Sequence, residues 1–377
     1  TIPTAGIADD AVTSAKTAFN DIPFKNLIIN GDMSISQRTT SESSVNSVRY
    51  SACDRWYTNP QNIGTYTISQ STEVPTGQGF GKSYKVDCTT ADASPSASDI
   101  FQIQQRIEGQ NLQLIKKGTS NAESLTLSFW VKSNLTATFG ITLQDNDNSR
   151  IIGNTFAISS ANTWEKKTIT FAGDTTGALD NDNANSLQLQ FCLGTGSTYT
   201  GTDNTSWGAY ANAKLGNGVT GNIASSTSNE FYLTGLQLEV GTSASDFEFI
   251  PFDVNFRRCQ RYYKEIIRSS GSDTQIANGV MYTTTDFYGV FYLGGEQMRA
   301  TPTISQTTGS SIYDVLGNAH AHAFNSIDAF AQITNGASSN CRVKVSSVSG
   351  KSQGQSAWVR YGGPSSTSDF ISADSEL

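Results

Sequence analysis

Apolar and polar residues alternate over many short segments of the chain. The clearest segments are residues 124–133 and 137–145, and Leu125, Leu127 and Phe129 occupy every second position of the first. Successive side chains of a β-strand point to opposite faces, so this period predicts half-buried strands. Residues 231–240 repeat the pattern.

Further segments with this period lie between turns rich in glycine, proline and serine. Strands are predicted in CDRWYTN, GTYTISQST, GKSYKVDCTT, FQIQQRIEG, NTWEKKTITFAGDTT and SLQLQFCLGTG. From Asn26, NLIINGDMSIS combines two such runs with an Asn-Gly turn signal, which predicts a hairpin. No long helix interrupts these strands. The pattern is typical of a β-sandwich and favours the long connections of a jelly roll.

The period changes near residue 252. One helical face is predicted from apolar residues at steps of four and three: Phe252, Phe256, Cys259, Tyr263 and Ile266. A basic cluster lies opposite: Arg257, Arg258, Arg261 and Lys264. Strand patterns then resume. We therefore predict an all-β protein: a connector at 1–24, a jelly-roll β-sandwich at 25–253, a short helical junction at 254–267 and a smaller C-terminal β-sandwich tip at 268–377.

The junction residues Phe256, Arg257, Arg258, Arg261 and Tyr263 are expected to join domains or subunits. Their basic side is too local to form a nucleic-acid footprint, and we expect it to pair with acidic groups of a neighbouring domain or subunit. At residues 1–24, a short helix that contacts copies of itself and a flexible linker are both compatible with the sequence.

Composition supports this organisation and narrows the function. The 377 residues are 37% hydrophobic but only 15% charged, and the formal net charge of −8 argues against nucleic-acid or anionic-membrane partners. The five cysteines are widely spaced and odd in number, which favours buried thiols over disulfides or a zinc site. No segment approaches the roughly 20 apolar residues of a membrane span.

Two groups of residues are candidates for metal binding. His320 and His322 would face the same way on a strand, and three such pairs on a threefold axis could bind a transition metal. The alternative is a solvent-facing pair. Asp145 and Asp147 begin a run of hard oxygen ligands that suits a structural calcium, although the same residues also form ordinary turns.

The loop at 198–218 holds Tyr199, Trp207 and Tyr210 among amides and hydroxyls. Aromatic faces beside such groups suit sugar recognition, because rings stack on C–H faces while amides bond hydroxyls. The alternative is that these rings pack the loop onto the sandwich. The sequence contains no phosphate-binding glycine loop and no HExxH, and its two histidines are too few for most nucleophilic triads, so we expect no catalysis.

Several segments together resemble a known family. The chain contains, in order, NLIINGDMSISQR, CDRW, SLTLSFWVKS, NTWEKKTITFAGDTTG, NEFYLTGLQLEVG, FEFIPFDVNFRRCQRYY, MRATPT and ISADSEL. From about Asn26 it resembles tail-fibre or receptor-binding proteins of tailed bacteriophages. The resemblance implies a carbohydrate-binding-module-like jelly roll followed by a tip, and core positions for residues 54–56 and 129–130.

It further implies a homotrimer made in the host cytoplasm and carried on the virion, in contact with other phage tail proteins. Its ligand would be a bacterial surface glycan, either lipopolysaccharide or capsule. Two alternatives stay open: a fibre that depolymerises glycan with acidic residues, and a purely structural virion component.

Overall fold

The computed structural model describes residues 24–271, 273–294, 297–317, 320–332, 340–363 and 365–377. Contacts divide the chain after Asn255 into two compact units, called unit 1 and unit 2. The strands of unit 1 are β1 Ser41–Val45, β2 Arg49–Tyr50, β3 Tyr57–Gln61, β4 Thr65–Ser71, β5 Ser83–Thr90, β6 Ile100–Glu108, β7 Leu125–Ser133, β8 Thr138–Asp145, β9 Arg150–Ala157, β10 Glu165–Phe171, β11 Asn185–Thr195, β12 Gly208–Ala209 and β13 Glu230–Val240. They are followed by α1 Phe252–Gln260, β14 Tyr263–Arg268, β15 Gln275–Met281, β16 Phe287–Tyr292, β17 Thr303–Gln306, β18 Tyr313–Gly317, β19 His320–Phe324, β20 Ala329–Gln332, β21 Asn340–Val345, β22 Ser356–Tyr361 and β23 Phe370–Asp374. The predicted all-β fold class is confirmed.

Unit 1 is a sandwich of two antiparallel sheets. A six-stranded sheet has the order β1-β4-β5-β13-β7-β10, and a seven-stranded sheet has the order β12-β9-β8-β11-β6-β3-β2. Neighbours in each sheet are mostly distant in sequence, because the chain repeatedly crosses from one sheet to the other. This is the jelly-roll type of connectivity that the strand spacing favoured.

The core of unit 1 lies between these sheets. Leu125, Leu127 and Phe129 of β7 are buried there, as their alternation predicted. The Phe129 ring packs edge-on against Phe156 and Phe191, with centroids 5.1 and 5.2 Å apart. Burial of each such side chain stabilises the fold by about 1.5–3 kcal/mol, so the sandwich is held chiefly by these alternating apolar rows.

Two segments predicted as strands are instead buried turns. Residues 26–36 form no hairpin: the Asn30 side chain bonds the backbone of Ile35 in both directions, at 2.9 Å each. Residues 51–56 precede β3, and Arg55 has φ 72°, a left-handed value that a strand does not accommodate. The Trp56 indole donates to Asn30 O at 3.1 Å. Side-chain amides thus replace the ladder that the apolar pattern suggested.

Unit 2 also contains two sheets. Strands β14, β23 and β17 form a three-stranded sheet, and a seven-stranded sheet has the order β19-β18-β22-β15-β16-β21-β20. Ile371 and Ala373 of the small sheet share one apolar core with Phe287, Val343 and Val359 of the large one. The second region is therefore a smaller β-sandwich, as predicted.

The helix between the two strand regions is shorter than the predicted junction. It ends at Gln260, and residues 263–268 form β14, which pairs with β23. The prediction of helix up to Ile266 was wrong because pairing with the last strand outweighs a helical period in a segment rich in tyrosine and isoleucine. Lys264 is consequently buried, and its ammonium group donates to Leu293 O at 3.2 Å.

All five cysteines are buried thiols, as predicted, and burial raises the pKa of Cys192 to about 12. Within the described ranges, no helix has the length and apolarity to cross a membrane. The predicted connector at 1–24 lies, except for its last residue, outside the described residues.

Candidate functional site: an amide-lined cleft

The outer face of the seven-stranded sheet in unit 1 carries a row of glutamines. Leu187, Leu189 and Phe191 of β11 point into the core, so the residues between them, Gln188 and Gln190, point outward. The adjacent strands add Gln102 and Gln104 from β6 and Gln144 from β8. The register confirms their proximity, because Gln190 pairs with Gln104 and Gln188 pairs with Gln144.

These five side chains form one continuous hydrogen-bonded chain, the amide relay. The Nε2 groups donate in sequence from Gln188 to Gln104 (2.6 Å), Gln104 to Gln102 (2.9 Å), Gln102 to Gln190 (2.7 Å) and Gln190 to Gln144 (2.7 Å). Each amide orients the next, and such chains polarise their members. The relay thus fixes the direction of every amide without using a charge.

The relay lines a cleft of about 300 Å³. This is at the lower end of the volumes typical of small-ligand sites. One side is formed by Tyr57 and Asn59 of β3, and the other by Tyr199, Tyr210 and Asn212 from the loop at 198–218. The cleft is therefore a concave, mostly amide surface that also carries tyrosines.

The aromatic groups at the cleft are themselves held in place. The Arg106 guanidinium lies over the Tyr57 ring, 4.5 Å from its centroid, and Tyr50 packs edge-on against the same ring at 5.0 Å. The Tyr210 hydroxyl donates to Asn212 Oδ1 at 2.8 Å. Burial, with a smaller contribution from Tyr199, raises the pKa of Tyr210 above its usual value, so the phenol stays protonated.

The predicted sugar-binding residues separate into two groups. Tyr199 and Tyr210 line the cleft, although Tyr199 is mostly buried among Ile100 and Leu215. Trp207 is directed elsewhere: its indole donates to Ala172 O at 2.7 Å, and Lys117 Nζ lies 5.3 Å from its ring centroid. Trp207 packs against the core, as the alternative interpretation of this loop expected.

The predicted calcium ligands belong to other interactions. Asp145 is buried beside Lys117, with 2.5 Å between Oδ2 and Nζ, and it also accepts from the backbone amide of Asn148 at 3.0 Å. Asp147 Oδ2 accepts from the backbone amide of Asp180 at 2.9 Å. The Lys117 ammonium group thus occupies the position beside Asp145 where the sequence suggested a calcium ion. Among the described residues, no cluster of three His, Cys, Asp or Glu side chains suits a metal.

The charged side chains around Lys117, called the Lys117 cluster, are the buried Lys117, Asp145 and Asp174 together with the half-buried Arg150. Lys117 Nζ lies 3.0 Å from Asp174, whose carboxylate also receives Arg150 Nε at 2.7 Å. Burial alone would raise the pKa of Asp174, but hydrogen bonds from Arg150 and Lys117 outweigh it and hold that pKa below its usual value.

The remaining predicted residues lie in unit 2 or at its start. His322 Nδ1 lies 3.0 Å from Ser349 Oγ, while the side chain of His320 lies outside the described part of the structure, so the histidine metal site stays a prediction. Arg257 is exposed on α1. The backbone N–H of Arg261, just after the helix, donates to Arg257 O at 3.2 Å. Arg258 and Phe256 are half-buried on the same helix, whereas Tyr263 is buried at the start of β14. Their role in a domain or subunit junction stays a prediction.

Comparison with known proteins does not assign the chain to a family. No family model matches the chain, and no curated protein matches it. Solved structures with some likeness include the enzymatically active domain of bacteriophage CBA120 tailspike protein 4, at 13% identity and a TM-score of 0.30, covering 58% of this chain and 22% of that one. A second is the TmCBM61 module in complex with β-1,4-galactotriose, at 8% identity and a TM-score of 0.30, covering 57% of this chain and 98% of that one. A third is a Clostridium thermocellum family 11 carbohydrate-binding module in complex with a mixed-linked tetrasaccharide, at 11% identity and a TM-score of 0.26, covering 55% of this chain and 99% of that one. At these TM-scores the likeness carries no conclusion about function.

Proposed function

We propose that unit 1 binds a glycan in the amide-lined cleft, and the amide relay is the observation that carries this proposal. A primary amide has two N–H groups and two lone pairs on its oxygen. In the relay, Gln104 and Gln190 each use one N–H and one lone pair on neighbouring amides. Each therefore retains one donor and one acceptor for a ligand, which matches a sugar hydroxyl that donates and accepts at once.

The rest of the cleft fits the same ligand. Tyr57 and Tyr210 provide ring faces on which the C–H faces of a sugar can stack. The lining residues of the cleft include no carboxylate, and the single charged side chain, Arg106, is stacked on Tyr57. A polyhydroxylated chain with few charges is complementary to this surface.

The wider role that we propose is host attachment by a tailed bacteriophage. Its support is the order of sequence segments that resembles phage tail-fibre and receptor-binding proteins, together with an acidic, all-β chain. In this proposal the protein acts as a homotrimer on the virion and adheres to lipopolysaccharide or capsule. Sedimentation of the purified chain tests the trimer, and a monomer at micromolar concentration would contradict it.

We propose binding without cleavage. General acid–base cleavage of a glycosidic bond uses a pair of carboxyl groups beside the bond, and the lining of the cleft supplies none. Incubation of surface polysaccharide from candidate hosts with the protein tests this. Chain length, followed by size-exclusion chromatography, should stay constant, and progressive shortening would establish the depolymerase alternative.

The cleft is tested by comparing two glutamine-to-alanine variants on a bacterial glycan array. Gln190→Ala removes the donor to Gln144 and the acceptor for Gln102. Gln78→Ala makes the same chemical change at an exposed position of unit 1. We expect Gln190→Ala to weaken glycan binding at least about tenfold while Gln78→Ala binds like the wild type. Equal binding by all three proteins would overturn the cleft as the site.

A further inference from the structure

The outward face of the large sheet in unit 2 combines exposed apolar side chains with positive charge. Cys341, Val343 and Phe287 point into the core, so the alternate residues of β21, β16, β15 and β22 point outward. Large apolar side chains are exposed there: Val280 is 39% exposed, Val290 43% and Trp358 38%. We call this surface the aromatic–basic face.

The strand register arranges this face in two rows. Trp358 of β22 pairs with Asn278 of β15, which pairs with Val290 of β16, which pairs with Arg342 of β21. The neighbouring row contains Ser356, Val280, Tyr288 and Lys344. Trp358 and Tyr288 are two strand spacings apart, or about 10 Å across the sheet. Aromatic groups therefore lie on either side of an apolar strip, with the positive charges at one end.

Two cations converge on one tyrosine of this face. The Arg342 guanidinium carbon lies 5.4 Å from the Tyr288 ring centroid, and Lys344 Nζ lies 5.8 Å from it. Asp286 Oδ1 is 4.0 Å from Lys344, at the limit of an ion pair. No carboxylate among the described residues pairs with Arg342. On the far side, β20 places Ala329 opposite Lys344.

Another arginine on the same sheet provides a contrast. Arg360 of β22 is paired with Asp273 and with Asp314, the latter at 3.3 Å, so its charge is balanced within the unit. Arg342 and Lys344 instead leave a local positive charge on a chain whose formal net charge is −8. A ligand for this face must supply negative charge and, next to it, weakly polar surface for the rings.

We propose that the aromatic–basic face is a second ligand site, which binds an acidic polysaccharide. Sugar C–H faces would stack on Tyr288 and Trp358, while a carboxylate of the chain lies between Arg342 and Lys344. Two cations suit a polymer with widely spaced charges better than nucleic acid, which carries one charge per about 1.7 Å of duplex. This site lies in the other unit and is independent of the amide-lined cleft.

The test uses the full chain with polygalacturonate and with its methyl ester, which has the same backbone without the charges. We expect polygalacturonate to bind and the ester to bind at least about tenfold more weakly, and we expect salt to weaken only the former. Equal binding of both polymers, or no binding of polygalacturonate, would overturn the proposal. Calorimetry at two ionic strengths provides the measurement.

Matched variants locate the site. Arg342→Gln with Lys344→Gln removes two positive charges from this face, and Lys82→Gln with Lys166→Gln removes two from unit 1. Polygalacturonate binding should fall at least about tenfold in the first pair only, and Gln190→Ala should leave it unchanged. If the first pair binds like the wild type, the proposal fails while the cleft is unaffected.

One further outcome would assign the face to another occupant. If the wild type self-associates in sedimentation experiments and the Arg342/Lys344 double variant does not, the face is an interface between copies of this chain. That result would overturn the polysaccharide proposal even if the variants also lose binding.

Discussion

Unit 1 contains two polar networks of opposite character. In the Lys117 cluster, the side chains of Lys117, Asp145 and Asp174 are 3%, 0% and 3% exposed, and their charges satisfy one another inside the protein. The amide relay is neutral and lines an open cleft. A charge buried in a protein requires a fixed counter-charge, whereas a neutral amide can exchange a bond to a neighbour for a bond to a ligand.

The two networks differ in how completely their polar groups are satisfied within the protein. In the Lys117 cluster each charge has a partner of opposite charge, which indicates a structural network. It holds together the segments around residues 117, 145 and 174. Partial satisfaction, with one donor and one acceptor left on Gln104 and on Gln190, indicates a surface that can bind a ligand.

Lys117→Met should have the largest effect, on stability. It leaves two buried carboxylates, Asp145 and Asp174, without their shared ammonium partner. Loss of one member of a buried ion pair costs about 3–5 kcal/mol, and we expect a decrease of that size in the free energy of unfolding in urea. Lys116→Met is the control, because its ion pair with Glu123 is largely exposed. An equal decrease in both variants would show that burial does not distinguish the cluster.

Acid should weaken the same cluster. The pKa of Asp174 is lower in the folded protein than in the unfolded chain, so its ionisation favours folding. This contribution is complete above the unfolded pKa of about 4 and is lost as pH falls through the lower folded value. The difference in unfolding free energy between wild type and Asp174→Asn should therefore shrink below about pH 4. A difference that is constant from pH 6 to pH 2 would contradict this explanation.

Gln104→Ala should affect binding more than stability. Its partners Gln188 and Gln102 border the cleft, where water can replace the lost bonds. We expect a decrease of about 0.5–1.5 kcal/mol in unfolding free energy but at least about tenfold weaker glycan binding. Thermal unfolding and glycan titration of the same sample give both values. Loss of stability as large as that of Lys117→Met would place the relay among the structural networks.

The smallest expected effect is that of pH on binding at the cleft. The lining contains neither a carboxylate nor a histidine, and burial keeps Tyr210 protonated. Affinity for a neutral glycan should therefore stay constant, within about twofold, from pH 5 to pH 9. A sigmoidal change in affinity across this range would show that a titrating group outside the described lining takes part.

The sequence was sufficient for the fold class because alternation with period two depends only on which face of a strand is buried. This is why residues 124–133 and 231–240 were predicted within a residue of β7 and β13. The predictions failed where side chains bond the backbone. Asn30 fixes a buried turn at residues 26–36, and its long-range contact with Asp54 has no signature in local periodicity.

The site was only partly predictable. Tyr199 and Tyr210 were found through the composition of their loop, but the glutamines were missed, although Gln102 with Gln104 and Gln188 with Gln190 show polar residues of one type at strand spacing. That pattern indicates a polar sheet face, but strand order is needed to bring β6, β8 and β11 together. Likewise, Asp145 suggests a calcium loop until the fold places Lys117 beside it.

The proposed function requires that the amide relay contacts a glycan directly. The most direct measurement is a crystal structure of the chain with an oligosaccharide selected on the glycan array. We expect sugar hydroxyls within hydrogen-bond distance, about 2.7–3.2 Å, of the Gln104 and Gln190 side chains, with a sugar ring next to Tyr57 or Tyr210. An oligosaccharide bound elsewhere, with the relay in contact only with water, would contradict this expectation.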